Sequence, residues 1–241
     1  DLLVIHPIES TWAVADERGR QNPAVQALDN TLIALREQLL GHHIDFDYGD
    51  EAILAQHGRI RDKSGTPYFQ VKDADYTTVL VPECLTIRGT TLDLLDPFQE
   101  AGGTVIFAGT PPRHVDGAAS NRAQKLAENC LRAPARGSGL NQAAESARKV
   151  SITDRNGGEI PQILYLLRET KDEFILFVCN TGTHPTEPTL ADVHIDRRTA
   201  EFADVTVTCS ADFEGAPREL DLQTGAQYAA QQGLPPLENH T

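Results

Sequence analysis

Residues 77–109 read TTVLVPECLTIRGTTLDLLDPFQEAGGTVIFAG. Two apolar runs, Thr78–Val81 and Thr104–Ala108, flank a segment of helical spacing. Neither run alternates polar with apolar residues, so each reads as a strand covered on both faces, as in a parallel sheet. Between them Leu92, Leu95 and Phe98 recur every three residues, with Leu94 beside them, and form one apolar stripe. Gly102-Gly103 ends the helix and turns the chain into the second strand. The unit is a βαβ crossover, which is right-handed by rule.

Upstream, Leu2–Ile5 is a short buried strand, and His6–Trp12 leaves its C-terminal end as a loop. Asn22-Pro23 is a helix start, a cap followed by a first-turn proline. Val25, Leu28, Leu32, Leu35 and Leu39 then repeat at helical spacing up to Gly41. His43–Tyr48 alternates, and its core strand is placed at Ile44–Phe46; a short helix with Ile53 and Leu54 follows. Arg59–Val71 is a polar hairpin turning at Lys63-Ser64-Gly65. Downstream, Ala118–Leu131 is read as a helix with Ala123, Leu126, Ala127 and Cys130 on one side. Four strands alternating with helices predict an α/β domain over residues 1–140, a flavodoxin-like doubly wound parallel sheet.

Residues 141–149 are read as a linker, and beyond them the pattern changes. Val150–Ile152, Ile163–Leu167, Phe174–Val178, Val205–Thr208 and Glu219–Leu222 are short β-like runs. Turn residues separate them at Asn156-Gly157-Gly158, Lys171-Asp172-Glu173, Asn180-Thr181-Gly182 and Thr224-Gly225. The prediction for 150–241 is a small, incomplete β-sandwich.

The formal charge of −14 and pI of about 4.9 argue against a nucleic-acid surface, which needs clustered Lys and Arg. The acidity reads as solubility. No apolar run approaches the roughly 18 residues of a membrane span. No secretory leader is visible, and the cytoplasm is favoured over export. The chain enters its first strand directly from Asp1, so a leader or an upstream domain is expected to be missing. Cys84, Cys130, Cys179 and Cys209 form no CxxC pair. Cys179 and Cys209 lie in strand-like runs and are expected as free buried thiols, with pairing the alternative on export. Neither GxGxxG, GxxxxGK[ST] nor HExxH occurs, so no cofactor and no metal are expected.

Open α/β sheets bind ligands beyond the C-terminal ends of their strands. Those ends carry His6 and Glu9; Asp47, Asp50 and Glu51; Glu83, Cys84 and Arg88; and Thr110, Arg113 and His114. The candidate ligand-binding set is His6, Glu9, Asp47, Asp50, Glu83, Arg88 and His114. One reading is a crevice with paired carboxylates and a histidine, able to do acid–base work or hold a sugar. The other is ordinary loop polarity, with Asp47, Asp50 and Glu51 favouring the start of the next helix. Cys84 has no glycine near it and is read as structural, and no catalytic residue is assigned. His42, His57, His184 and His194 are read as surface groups, and His42-His43 as complements to a helix dipole.

Leu80-Val81-Pro82 and the run Glu100–Gly109 resemble the glutamine-amidotransferase-like middle domain of large multidomain glycoside hydrolases, including β-galactosidases in which that domain mediates trimerisation. His6–Ser10, Phe46–Glu51, Ile163–Glu169 and Phe174–Asn180 resemble segments of long α-L-rhamnosidase-like and β-galactosidase-like proteins. The resemblance implies a non-catalytic module. Amidotransferases of this type place a cysteine nucleophile at the elbow where this chain has Ala108-Gly109. Glycosidases of this kind keep their carboxylates on a separate barrel, which needs about 250 residues, so the chain is expected to be a fragment. The implied partners are the other domains of a parent glycosidase, a further copy of the chain, and carbohydrate through the parent. Nucleic acid and membrane are not among them. Two alternatives stay open. One is a stand-alone hydrolase using His6, Glu9, Asp47 and Glu83. The other is a carbohydrate-binding module, thinly supported by 6% aromatic residues and a single Trp12.

Overall fold

The computed structural model describes residues 1–170, 173–181, 201–210 and 217–229. Lys171, Asp172, Gly182, His184 and His194 therefore lie outside the described residues. The chain divides into two compact units: residues 1–39 with 44–148, and residues 40–43 with 149–241.

Along the first unit run β1 (Leu2–Ile5), α1 (Ile8–Val14), α2 (Pro23–Gly41), β2 (Phe46–Gly49), α3 (Glu51–His57), β3 (Gly58–Lys63), β4 (Thr66–Val71), β5 (Ala74–Tyr76), β6 (Thr78–Val81), β7 (Thr86–Ile87), α4 (Gly89–Glu100), β8 (Thr104–Ala108), β9 (His114–Val115), β10 (Ala118–Ala119), α5 (Arg122–Ala127), β11 (Leu131–Ala133) and α6 (Ser138–Ala144). Five of these strands form one parallel sheet in the order β11-β8-β6-β1-β2.

Successive side chains leave a strand on opposite faces. Leu3 and Ile5 of β1, Val79 and Val81 of β6, and Val105 and Phe107 of β8 pack on one side with Leu54, Leu92, Leu95 and Phe98. Leu2, Val4, Leu80 and Ile106 pack on the other with Leu35, Leu39, Leu140 and Ala144. Both faces are apolar because helices cover both, which is why the strand runs do not alternate. Helix α4 carries the stripe read from the sequence: Leu92, Leu95 and Phe98 are each fully buried. Its end is a left-handed cap, with Gly102 at φ +95° and the Gly103 amide donating to the Phe98 carbonyl at 2.9 Å. A Cβ at Gly103 would come within 2.3 Å of the Phe98 ring, so close packing demands glycine there.

The structure corrects three local readings. His6–Trp12 is not a loop, since Ile8–Val14 is helix α1. Its one buried side chain is a serine, Ser10, so it offers no apolar stripe to read. The second strand is Phe46–Gly49 and not Ile44–Phe46. The Ile44 amide is already committed to the Leu39 carbonyl at the end of α2. The single helix expected over Ala118–Leu131 is a two-residue strand, the shorter helix α5, and then a fifth sheet strand, Leu131–Ala133. Three residues with a central arginine carry no strand signature; pairing with β8 makes them one. The hairpin at Arg59–Val71 forms, turning through Ser64 and Gly65 at φ +57° and +85°, and β5 extends it to three strands.

The described part of the second unit holds β12 (Val150–Thr153), β13 (Ile163–Glu169), β14 (Phe174–Asn180), β15 (Thr206–Cys209), β16 (Arg218–Leu220) and β17 (Gln227–Ala229). They form antiparallel pairs β12-β15, β13-β14 and β16-β17. Val150, Ile152, Ile160 and Ile163 make a small core, lined by Tyr165, Leu167, Leu176, Val178 and Val207. Cys179 and Cys209 are free thiols. The expectation that both are buried fails at Cys179: Val178 faces the core, so its neighbour on the alternating strand faces water.

His43 belongs to this second unit and corrects the reading of a histidine that merely complements a helix dipole. It is 1% exposed and adopts φ +54°. Its Nδ1 lies 2.6 Å from Glu159 Oε2 and its Nε2 2.9 Å from the Ile163 carbonyl.

Candidate functional site

The C-terminal edge of the parallel sheet gathers part of the expected set and disperses the rest. Helix α1 leaves β1 through His6-Pro7 and presents Ser10 and Glu9. Ser10 is fully buried and joins α1 to the loop before β7. Its hydroxyl donates to the Thr86 carbonyl at 3.1 Å and accepts from the amides of Leu85 (3.0 Å) and Thr86 (3.1 Å). Glu9 Oε1 accepts from Arg88 Nε at 2.6 Å. Arg88 stands at the N-cap of α4, and its own amide donates to Glu51 Oε2 at 2.8 Å. The Thr91 hydroxyl donates to the same oxygen at 2.5 Å.

Glu51 opens α3 as its sequence position suggests, but its carboxylate points inward and is 1% exposed. Glu9 lies near enough for its charge to act on it. Burial drives the Glu51 pKa up to about 7; the Thr91 and Arg88 hydrogen bonds oppose the rise, and the neighbouring Glu9 charge adds to it. Cys84 sits against this cluster, and burial, reinforced by the Glu51 charge, pushes its thiol up to about 12. A thiol so hard to ionise is a poor nucleophile, which agrees with the structural reading of this cysteine.

The other candidates are engaged separately. Asp50 caps α3, accepting from the amides of Ala52 (2.9 Å) and Ile53 (3.1 Å). Asp47 lies within β2, not beyond a strand end, because that strand runs later than expected. Its carboxylate accepts from the Tyr76 hydroxyl at 2.8 Å. His6 stacks edge-on against Tyr48, with ring centroids 5.5 Å apart. His114 is exposed on β9, its Nδ1 3.3 Å from the Leu85 carbonyl. Glu83 is exposed, and its stem packs on the turn at Gly109, where φ is +89° and a Cβ would meet Glu83 Cβ at 3.0 Å.

The structure thus brings Glu9 and Arg88 together with Glu51, and holds Asp47 and Asp50 in separate hydrogen bonds. Two members of the cluster, Ser10 and Thr91, were not singled out from the sequence. Thr91 stands four residues before Leu95 and so shares the inner face of α4; Ser10 has no such signal. Among the described residues no group of three or more His, Cys, Asp or Glu is arranged to hold a metal ion, and no helix is long and apolar enough to cross a membrane.

No family model and no curated protein matches this chain. Among solved structures, the apo exo-carrageenase GH42 from Bacteroides ovatus is similar over 95% of this chain, with 13% identity and a TM-score of 0.54. At that identity the likeness is one of fold. The chain spans about a quarter of that protein's length (26%).

Proposed function

We propose that this chain is a non-catalytic accessory module of a multidomain glycoside hydrolase, packing against a catalytic barrel or making contacts between copies. The observation that carries the reading is the state of the strand-end carboxylates. Glu9 is bonded to Arg88, Glu51 to the start of α4, Asp50 to its own helix and Asp47 to Tyr76. Glycosidic chemistry needs two carboxyl groups about 5–10 Å apart with a sugar between them. Here Glu51 is buried inside the domain and Glu9 is held by Arg88, and the other two serve local structure. The fold likeness to a stretch of a GH42 enzyme supports the same conclusion. So does the strand order 2-1-3-4-5, taking the five sheet strands in chain order, which favours a flavodoxin-like sheet. In this reading the paired β-strands of the second unit are part of a β-sandwich. The polar rim of His6, Glu83 and His114 faces a neighbouring domain of the parent protein, whose barrel binds the carbohydrate.

The test is a hydrolysis screen of the 241-residue chain against nitrophenyl glycosides and carrageenan oligosaccharides. No turnover is expected. Turnover that disappears in both Glu9→Gln and Glu83→Gln would make the strand-end edge an active site and overturn the accessory reading.

A further inference from the structure

The cluster at the start of α4 has a charge problem. Glu9 Oε2 is buried from solvent and has no hydrogen-bond donor within reach. Glu51 is buried beside it, and Arg88 is the one cation bonded to the pair among the described residues. Two ionised carboxylates and one guanidinium would leave a net negative charge at the cluster, with Glu9 Oε2 lacking a donor. Desolvation makes that arrangement costly. A proton held between the two acids removes both defects, since it supplies the missing donor and brings the cluster to neutrality.

We propose that Glu9 and Glu51 share one proton and form a pH-responsive latch that ties α1 to the N-terminal ends of α3 and α4. Arg88 at the α4 cap and Thr91 on α4 bond the pair, and Cys84 from the loop after β6 lies beside it, itself acted on by Ser10 and Glu83. Burial keeps the Cys84 thiol neutral across the relevant range, so the proton belongs to the two acids. Losing it sets Glu9 against Glu51. The contacts that then loosen are those Arg88 and Ser10 make across the loop from Cys84 to Arg88.

The direction follows by linkage. A carboxyl whose folded pKa is raised, here from 4.5 to about 7, stabilises the fold fully below pH 4.5. That contribution is lost as pH rises through 7.

The experiment is a carboxyl carbon NMR titration of the full chain carrying labelled glutamate, run beside urea unfolding. In wild type, the side-chain carbon of Glu51 should report a step near neutral pH. Glu9→Gln should lower the Glu51 midpoint by about one pH unit or more, because the like charge is gone. A Glu51 midpoint unmoved by Glu9→Gln would leave burial alone as the cause and sink the shared proton. So would the absence of any glutamate titrating above pH 6. Glu51→Gln keeps a donor in nearly the same shape and guards against misfolding of the first variant. From pH 5.5 to pH 8.5 the wild-type folding constant should fall about thirtyfold more than that of Glu51→Gln. Identical pH dependence in the two proteins would also overturn the latch.

Discussion

The two units solve burial differently. The first unit sandwiches a five-stranded parallel sheet between two apolar layers, and β1 and β6 are buried along their whole length. Among its described residues the second builds a core of four buried residues against antiparallel pairs, and alternate residues of β14 from Ile175 on are exposed. Leu166, Ile175 and Phe177 lie on the outer side of the β13-β14 pair at 42%, 51% and 45% exposure. The contrast teaches that the same kind of apolar run means different things. In β6 each residue contributes to a core, whereas in β14 only alternate ones do.

The sharpest way to break this comparison is to remove one anchor from each core and follow unfolding by residue-resolved amide exchange in urea. Phe98→Ala removes a fully buried ring stacked edge-on against Phe69 at 5.7 Å and should cost the first unit about 3–5 kcal/mol. Ile163→Ala acts in the smaller core, where neighbours are already partly open to water, and should cost about 2–3 kcal/mol, the lower end for such truncations. A larger loss at Ile163 than at Phe98 would reverse the ranking of the two interiors.

A smaller effect sharpens the picture of the second unit. His43 supplies a buried ring bonded on both nitrogens, to Glu159 and to the Ile163 carbonyl. His43→Ala leaves that carbonyl without its ring partner and should destabilise the unit by about 1–3 kcal/mol. An unchanged urea midpoint would mean that water replaces the ring without loss. On the outer face, Ile175→Thr should stay within about 0.5 kcal/mol of wild type by the same measurement, because its side chain is already in water. A loss of several times that size would show that the face is covered in solution.

How much of this could be read from the chain follows the same division. The βαβ core was legible because Leu92, Leu95 and Phe98 must repeat to reach the sheet, and because Gly102-Gly103 can do little but end a helix. Strands β12, β13, β14 and β15 were legible for similar reasons. Helix α1 was not, because its buried contact is one serine hydroxyl, and hydrogen bonds leave no periodic trace. Strand β11 was not, because Leu131-Arg132-Ala133 becomes a strand only through its register with Ile106–Ala108. At the candidate site the residue types at the strand ends were visible, but their partners were not. Glu51 looked like an ordinary first-turn acid, and only the approach of Arg88 and Thr91 across the fold turns it inward. His43 was missed because a left-handed residue after a helix is usually glycine or asparagine, and nothing local marks a histidine for that position.

The smallest effect on stability belongs to the thiols, yet their labelling separates the two interiors cleanly. Cys84 lies under the carboxylate cluster of the first unit, its thiol pushed up to about 12 by burial, and Cys130 is half-buried and pushed up to about 11 for the same cause. Cys179 faces water on β14. Alkylation requires both access and the thiolate. In the native protein at pH 8, mass spectrometry after brief iodoacetamide treatment should therefore find Cys179 modified first and Cys84 unmodified until urea opens the first unit. Early modification of Cys84 would show that the loop from Cys84 to Arg88 opens on its own. If that opening grew steeply between pH 6 and 9 and vanished in Glu51→Gln, the deprotonated carboxyl pair would be what releases it.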